Sequence, residues 1–292
     1  MQKSVLAAVL LFFSLSLFWG STGSSVCGSV LHVGGVGEGN FSSISDAVGI
    51  AVSNDTILIH PGFYEESFVI EQSYISLVGL DAKSTVIDAK ELGCPVVLKG
   101  NYCVVSNLSL TNSTLWFPYA GLQVFGKKNL VRDCLLFSNY YGITLLKPSC
   151  CNRFVNLSLL NNKQCGAYLS GSCSNSFSSI VVSNHSFNGF GIYDLSNDNV
   201  VSECFFSLSG NCGVNIRDSD GTVLKDNVMV NNSIGLHVPP LPYKTTLFDN
   251  EISSNSVDVE LQQTSFAASA IACVVLVFAA FIFFEVLFFR KS

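Results

Sequence analysis

The side chains best placed to act on a ligand are Tyr168 and Tyr193, with Thr144, Asn215, His237 and Arg217 around them. Thr144, Tyr168, Tyr193, Asn215 and His237 each stand two residues after a glycine, in the runs GITL, GAYL, GIYD, GVNI and GLHV. If these runs are extended, Leu122, Ile143, Ala167, Ile192, Val214 and Leu236 point inward. The next residues then form an outward column, Gln123, Thr144, Tyr168, Tyr193, Asn215 and His237, with Arg217 beside it. Aromatic rings that lie against sugar faces, amides and hydroxyls for sugar hydroxyls, and a guanidinium for an acidic sugar make that column a polysaccharide contact. The other reading is a solvated strand face, with tyrosine present for its β propensity. No carboxylate pair stands in the column, so glycoside hydrolysis is not supported.

Metal chemistry has fewer footholds. Asp218 and Asp220 flank Ser219 after Arg217, with Asp194 and Asp198 one segment earlier. Acids on neighbouring segments can share a calcium ion; the same residues also suit turns, where Asp and Asn bond their own backbone. His32, His60, His185 and His237 are scattered, Met229 falls in an apolar column, and no CxxC or Cys/His cluster has zinc spacing. No cofactor is expected beyond that calcium reading.

What positions these residues is a repeat. From Gly121 to Asn255 the chain divides into six coils with three columns in step. Cys134, Leu157, Ile180, Cys204, Asn227 and Asn250 are spaced by 23, 23, 24, 23 and 23 residues. Val131, Phe154, Phe177, Val201, Leu224 and Leu247 keep that spacing three residues earlier, and Leu136, Leu159, Val182, Phe206, Met229 and Ile252 two residues later. Units this short cannot bury an apolar face alone and must stack. Apolar and polar residues alternate within each coil, and none has room for a crossover helix, so the stack is a β-solenoid. Asn139, Asn162, Asn232 and Asn255 share a further column, as a side-chain hydrogen-bond ladder or as tight-turn residues. Cys150 and Cys173 are one coil apart in one turn column, about 4.8 Å if stacked, which predicts a disulfide between them.

Composition agrees with a packed, exported protein. Apolar residues make up 49% and charged ones 12%, and the net charge of −6 argues against nucleic acid as a partner. Residues 1–25 read as a signal peptide: Lys3, an apolar run, then small residues. Residues 266–289 read as one membrane span, with 290–292 as a basic cytoplasmic tail, leaving 26–262 as the exported domain. Sequons begin at Asn40, Asn54, Asn107, Asn112, Asn156, Asn184 and Asn231 and fit a glycosylated surface protein. Ten of the eleven cysteines lie outside the C-terminal apolar run, an even number that permits disulfides.

The N-terminal third leaves the 23-residue rule. Residues 41–54 carry Ile44, Ala47, Val48 and Ala51 on one helical face behind Ser42 or Ser43, a helix fit to cap the solenoid. Strands follow at 56–60, 67–70, 75–78, 85–87, 95–98 and 104–110. The run GEGNFSSISDAV, then NDTILIHPGFYEESFVI and YISLVGLDAKSTVIDA, resembles the opening of right-handed parallel β-helix proteins of the pectin-lyase-like superfamily. The glycine-led, Asn-rich coils resemble its NosD-like subgroup. That resemblance implies an all-β right-handed parallel β-helix over about residues 30–260, here with a cap helix and a C-terminal transmembrane helix. It implies no one activity. Gly62, Tyr64 and Glu66 match the G-x-Y-x-E of pectin methylesterases, but the catalytic Q-D and D-F-x-F-G contexts are missing, as are the polygalacturonase motifs. The subgroup is named for copper, a role that this scatter of His and Met does not carry over. The expectation is a membrane-anchored scaffold or adhesin-like protein that binds polysaccharide; the alternative is a polysaccharide lyase or esterase with a diverged site.

Overall fold

The computed structural model describes residues 28–240 and 242–261. The signal peptide (1–25) and membrane span (266–289) read from the sequence lie outside those residues. Among the described residues, no helix is long and apolar enough to cross a membrane.

The chain climbs as a right-handed solenoid with three parallel sheets. Sheet A has ten strands, from Val30–Val33 to Thr245–Phe248; sheet B has nine, from Gly62–Tyr64 to Glu251–Ser253; sheet C has nine, from Phe68–Ile70 to Val257–Leu261. The apolar columns read from the sequence pair residue for residue. Val131, Phe154, Phe177, Val201, Leu224 and Leu247 are successive partners in sheet A. Leu136, Leu159, Val182, Phe206, Met229 and Ile252 are successive partners in sheet B. From Val131 to Leu224 and from Leu136 to Met229 their side chains fill one continuous core, in which Phe154 stacks on Phe177 at 4.7 Å between centroids; in the last coil Ile252 is partly buried and Leu247 exposed. Cys134 and Cys204 lie in it as small buried residues.

Three corners per coil need a residue at positive φ, and each corner builds a column. One runs Tyr74, Tyr102, Lys128, Cys151, Ser174 and Asp198; another runs Asn107, Asp133, Asn156, Ser179, Glu203, Asp226 and Asp249. Asn and Asp are favoured there because a short polar side chain relieves the left-handed backbone locally. Of the seven sequon asparagines, Asn54, Asn107, Asn112, Asn156, Asn184 and Asn231 are in this conformation, so turn geometry by itself accounts for asparagine at six of them. The strand expected over 104–110 is broken into Val104–Ser106 and Ser109–Thr111 for the same reason, the corner at Asn107.

Buried asparagines tie the coils together. In the expected column, the Asn139 N–H donates to Asn162 Oδ1 (3.0 Å) and the Asn232 N–H to Asn255 Oδ1 (2.9 Å). His185 and Ser209 fill the two rungs between: the Asn162 N–H donates to His185 Nδ1 (3.2 Å), and the Ser209 N–H to Asn232 Oδ1 (3.0 Å). A second ladder runs through Asn129, Asn152, Asn175 and Asn199, each accepting from the backbone of the coil before it at 2.7–3.0 Å.

At the N-terminal end stands α1 (Ile44–Ile50), capped by the Ser43 side chain, with Ile44 and Ala47 in the core. Glu66 closes its first turn. One oxygen accepts from the Ile44 N–H (2.8 Å), the other from the Ser45 N–H (2.8 Å) and the Ser43 and Ser45 hydroxyls. The Tyr64 hydroxyl donates to the His60 carbonyl at 2.8 Å. The G-x-Y-x-E segment is therefore a clamp on the first coil.

Candidate functional site

The outer face of sheet C gathers a cluster of aromatic side chains outside the core. Its register corrects the sequence reading in one coil. Gln123, Thr144, Tyr168, Gly191, Asn215, His237 and Glu260 are successive partners, so Gly191 holds the place expected of Tyr193. Tyr193 pairs with Ser170, and Phe190 joins Ile192 in the core. The coil opens on Gly189, where a Cβ would overlap the Gly213 carbonyl of the next coil. At Gly191 a Cβ would overlap the Tyr193 ring, which folds back over the bare backbone. The tyrosines meet all the same: their centroids are 5.3 Å apart and their planes 49° apart.

The second correction concerns exposure. Gln123, Thr144, Asn215 and His237 are buried, so the column is no open wall. Over its first half lies the 113–119 segment, whose Pro118 carbonyl accepts from Gln123 Nε2 (3.1 Å) and Thr144 Oγ1 (3.2 Å). This segment adds its own aromatics. Phe117 packs edge-on against Tyr141 and Tyr168 at 6.3 and 5.6 Å, and Trp116 lies 6.4 Å from Tyr119 with 64% of its surface exposed. Tyr141 in turn touches Tyr140 and Tyr168 at 5.0 and 5.2 Å. The sequence reading left this segment out, although its Trp-Phe-Pro-Tyr run between two polar corners marked it.

The resulting surface is an aromatic ridge: Trp116 and Phe117 exposed, Tyr168 and Tyr193 half-buried, and Arg217 exposed at its far end. Burial raises the Tyr168, Tyr141 and Tyr193 phenols, so all three stay protonated at neutral pH. The Tyr193 hydroxyl accepts from Asn188 Nδ2 at 2.7 Å, which fixes the ring. His237, 3.8 Å from Glu260, is held below the ordinary imidazole range by burial and by Arg217, and is neutral at neutral pH.

The acids proposed for calcium stand in turns. Asp194, Asp198 and Asp218 all have positive φ; Asp194 accepts from the Ser170 hydroxyl (2.8 Å), and Asp220 from the Lys244 N–H (2.7 Å). Among the described residues, no three His, Cys, Asp or Glu side chains converge to hold a metal ion. His32 and His60 meet at 3.1 Å with no third donor of that kind, His185 belongs to a ladder, and Met229 is in the core.

Nine described cysteines are free thiols. Burial pushes Cys94 and Cys212 up to about 11 and Cys134, Cys165 and Cys204 up to about 12; Cys103 is also raised. Those six are closed off. Cys150, Cys151 and Cys173 are the remaining three, partly or fully exposed, and all lie at the corner between sheets C and A. Cys150 bridges to Lys127 on one side and Cys173 on the other, the stacking read from the sequence, with both thiols unbonded. Beside them opens a cleft of about 450 Å³ lined by Lys99, Asn101, Phe125, Lys127 and Pro148.

Three sheets wound into one solenoid with asparagine ladders define the class, a right-handed parallel β-helix of the pectin-lyase-like kind. The chain belongs to the NosD family, whose model, described as periplasmic copper-binding protein, matches residues 48–270. No curated protein matches it. Among solved structures, a pectate lyase aligns with TM-score 0.56 at 15% identity over 79% of this chain and 80% of its own. An alginate lyase from Paenibacillus aligns with TM-score 0.54 at 12% identity, over 80% and 98%. A pectin methylesterase in complex with a hexasaccharide aligns with TM-score 0.57 at 12% identity, over 82% and 94%. At identities this low the likeness is one of fold.

Proposed function

We propose that the protein is an exported, membrane-anchored β-helix scaffold that binds polysaccharide along the ridge formed by Trp116, Phe117, Tyr168 and Tyr193. The observation that carries this reading is the aromatic contact chain from Phe117 through Tyr168 to Tyr193, with centroids 5.6 and 5.3 Å apart. Rings at that spacing offer successive apolar faces to a linear sugar, and Arg217 adds a cation at one end. Titrating the full chain with a panel of neutral and acidic oligosaccharides tests it. Binding of at least one glycan, weakened about tenfold or more by Trp116→Ala, supports the reading; no binding across the panel sinks it. Product analysis in the same samples separates a binding scaffold from a lyase or esterase.

A second reading comes from the family's name. Copper reaches this chain, we propose, through thiols, because three partly or fully exposed cysteines share one corner, whereas the described histidines meet only as the pair His32 and His60.

A further inference from the structure

We infer that Cys150 and Cys173 bind one copper(I) ion between them as a two-coordinate dithiolate, at the corner between sheets C and A. The inference rests on the copper reading above and names its site. Stacked residues on neighbouring coils are held at the strand spacing of about 4.8 Å with their Cα–Cβ bonds parallel. A disulfide brings Cβ atoms to about 3.5–4.5 Å, and in the structure both thiols are unbonded. A metal ion with two metal–sulfur bonds of about 2.3 Å spans up to about 4.6 Å, which fits that spacing without moving the backbone. The ladder makes such movement costly: Asn152, next to Cys151, is bonded to Asn129, Ser149, Gly126 and Asn175.

Ligand type and charge select the ion. Thiolates favour soft copper(I), whereas structural zinc takes four ligands, more than this corner supplies. Binding converts two thiols to thiolates, releases two protons and forms two copper–sulfur bonds, with no change in oxidation state. The bound pair then carries one negative charge. Lys127, the bridge partner of Cys150, and Lys128, which feels both Cys150 and Cys151, lie against it. The cleft lined by Lys99 and Lys127 opens near this corner. Cys151, the corner's positive-φ residue, is exposed, with its thiol beside that of Cys150, so its own substitution is part of the test.

The test uses the full chain in detergent, reduced and kept free of oxygen, titrated with copper(I) against a chromophoric copper(I) chelator. One equivalent should bind, with thiolate-to-copper absorption in the near ultraviolet. Cys150→Ser and Cys173→Ser should each weaken it about 100-fold or more, and Cys151→Ser by no more than about tenfold. Circular dichroism checks that each variant is folded. If one is not, alkylation mapping of the wild type decides: one equivalent of copper(I) should protect Cys150 and Cys173 while leaving Cys151 reactive. Copper(I) binding that survives in the double Cys150→Ser/Cys173→Ser variant, or protection of other cysteines, overturns the site but keeps the copper reading. No binding by the wild type overturns both.

Discussion

His185 shows what one residue in a repeat is asked to do. It holds the rung between Asn162 and Ser209 in a column otherwise built mostly of asparagine, accepting from the Asn162 N–H through Nδ1 and donating from Nε2 to the Leu159 carbonyl at 3.1 Å. That arrangement works only for the neutral ring, and burial depresses its pKa to about 4. The unfolded chain, with an ordinary value near 6.5, therefore takes up the proton first as pH falls. The stability His185 contributes is complete above about pH 6.5, declines toward pH 4 and is level below that. Relative to His185→Asn, the wild type should lose about 2 kcal/mol between pH 7 and pH 4.5, read from denaturant unfolding at both. Equal pH dependence in the two proteins would contradict this. Glu66 works in the opposite sense, its carboxylate held below the usual range by hydrogen bonds from Ser45, Ile44 and Ser43 despite partial burial. Glu66→Ala should cost about 1–2 kcal/mol, read as a lowered Tm in thermal unfolding.

At the scale of the element, the ladder rungs should rank among the least replaceable polar residues. Asn152→Ala strands the Asn129 N–H inside the solenoid and removes bonds to Gly126 and Ser149; a loss of about 3 kcal/mol is expected in thermal unfolding. A loss under about 1 kcal/mol would mean that the rung is replaceable by water. The site's elements also show where sequence stops being legible. Gly189 and Gly191 are two residues apart, and a shift of two keeps every side chain on its own side of the strand. Alternation therefore scores both registers equally, and only the contact between Gly189 and the Gly213 carbonyl separates them. Likewise, the 113–119 segment has no period of its own. Its landing on Tyr168 depends on shape across a corner, which no spacing encodes. For this reason Trp116→Ala, with its ring largely in solvent, should leave Tm within a few degrees. Tyr168→Ala, packed among Phe117, Tyr141 and Tyr193, should cost about 2 kcal/mol before any ligand is added.

For the whole molecule, the three apolar columns were legible because one constraint, burial, acts on every coil at the same place. The first coils were less so: partners Thr56 and Ser76 are 20 residues apart, and Ser76 and Val104 are 28. The strand at Gly62–Tyr64, too short to show alternation, gave no signal. A regular middle makes a direct prediction. Excising residues 200–222 sets Val223 where Val200 stood, its own partner in sheet A, so the shortened chain should fold as a monomer with a β-rich spectrum and keep the ridge aromatics Trp116, Phe117, Tyr168 and Tyr193 while losing Arg217. A molten or aggregated product would show that the coils are less interchangeable than their register.

The ladders also run one way in time. In both, the buried backbone N–H of one coil is satisfied by a side chain from the coil that follows it, as with Asn129 and Asn152 or Asn139 and Asn162. A chain that emerges from its N-terminus thus leaves each newly wound turn unfinished until about 23 more residues have arrived. Winding then trails emergence by one turn, and a pause during synthesis or export exposes a single open rung, always at the youngest end.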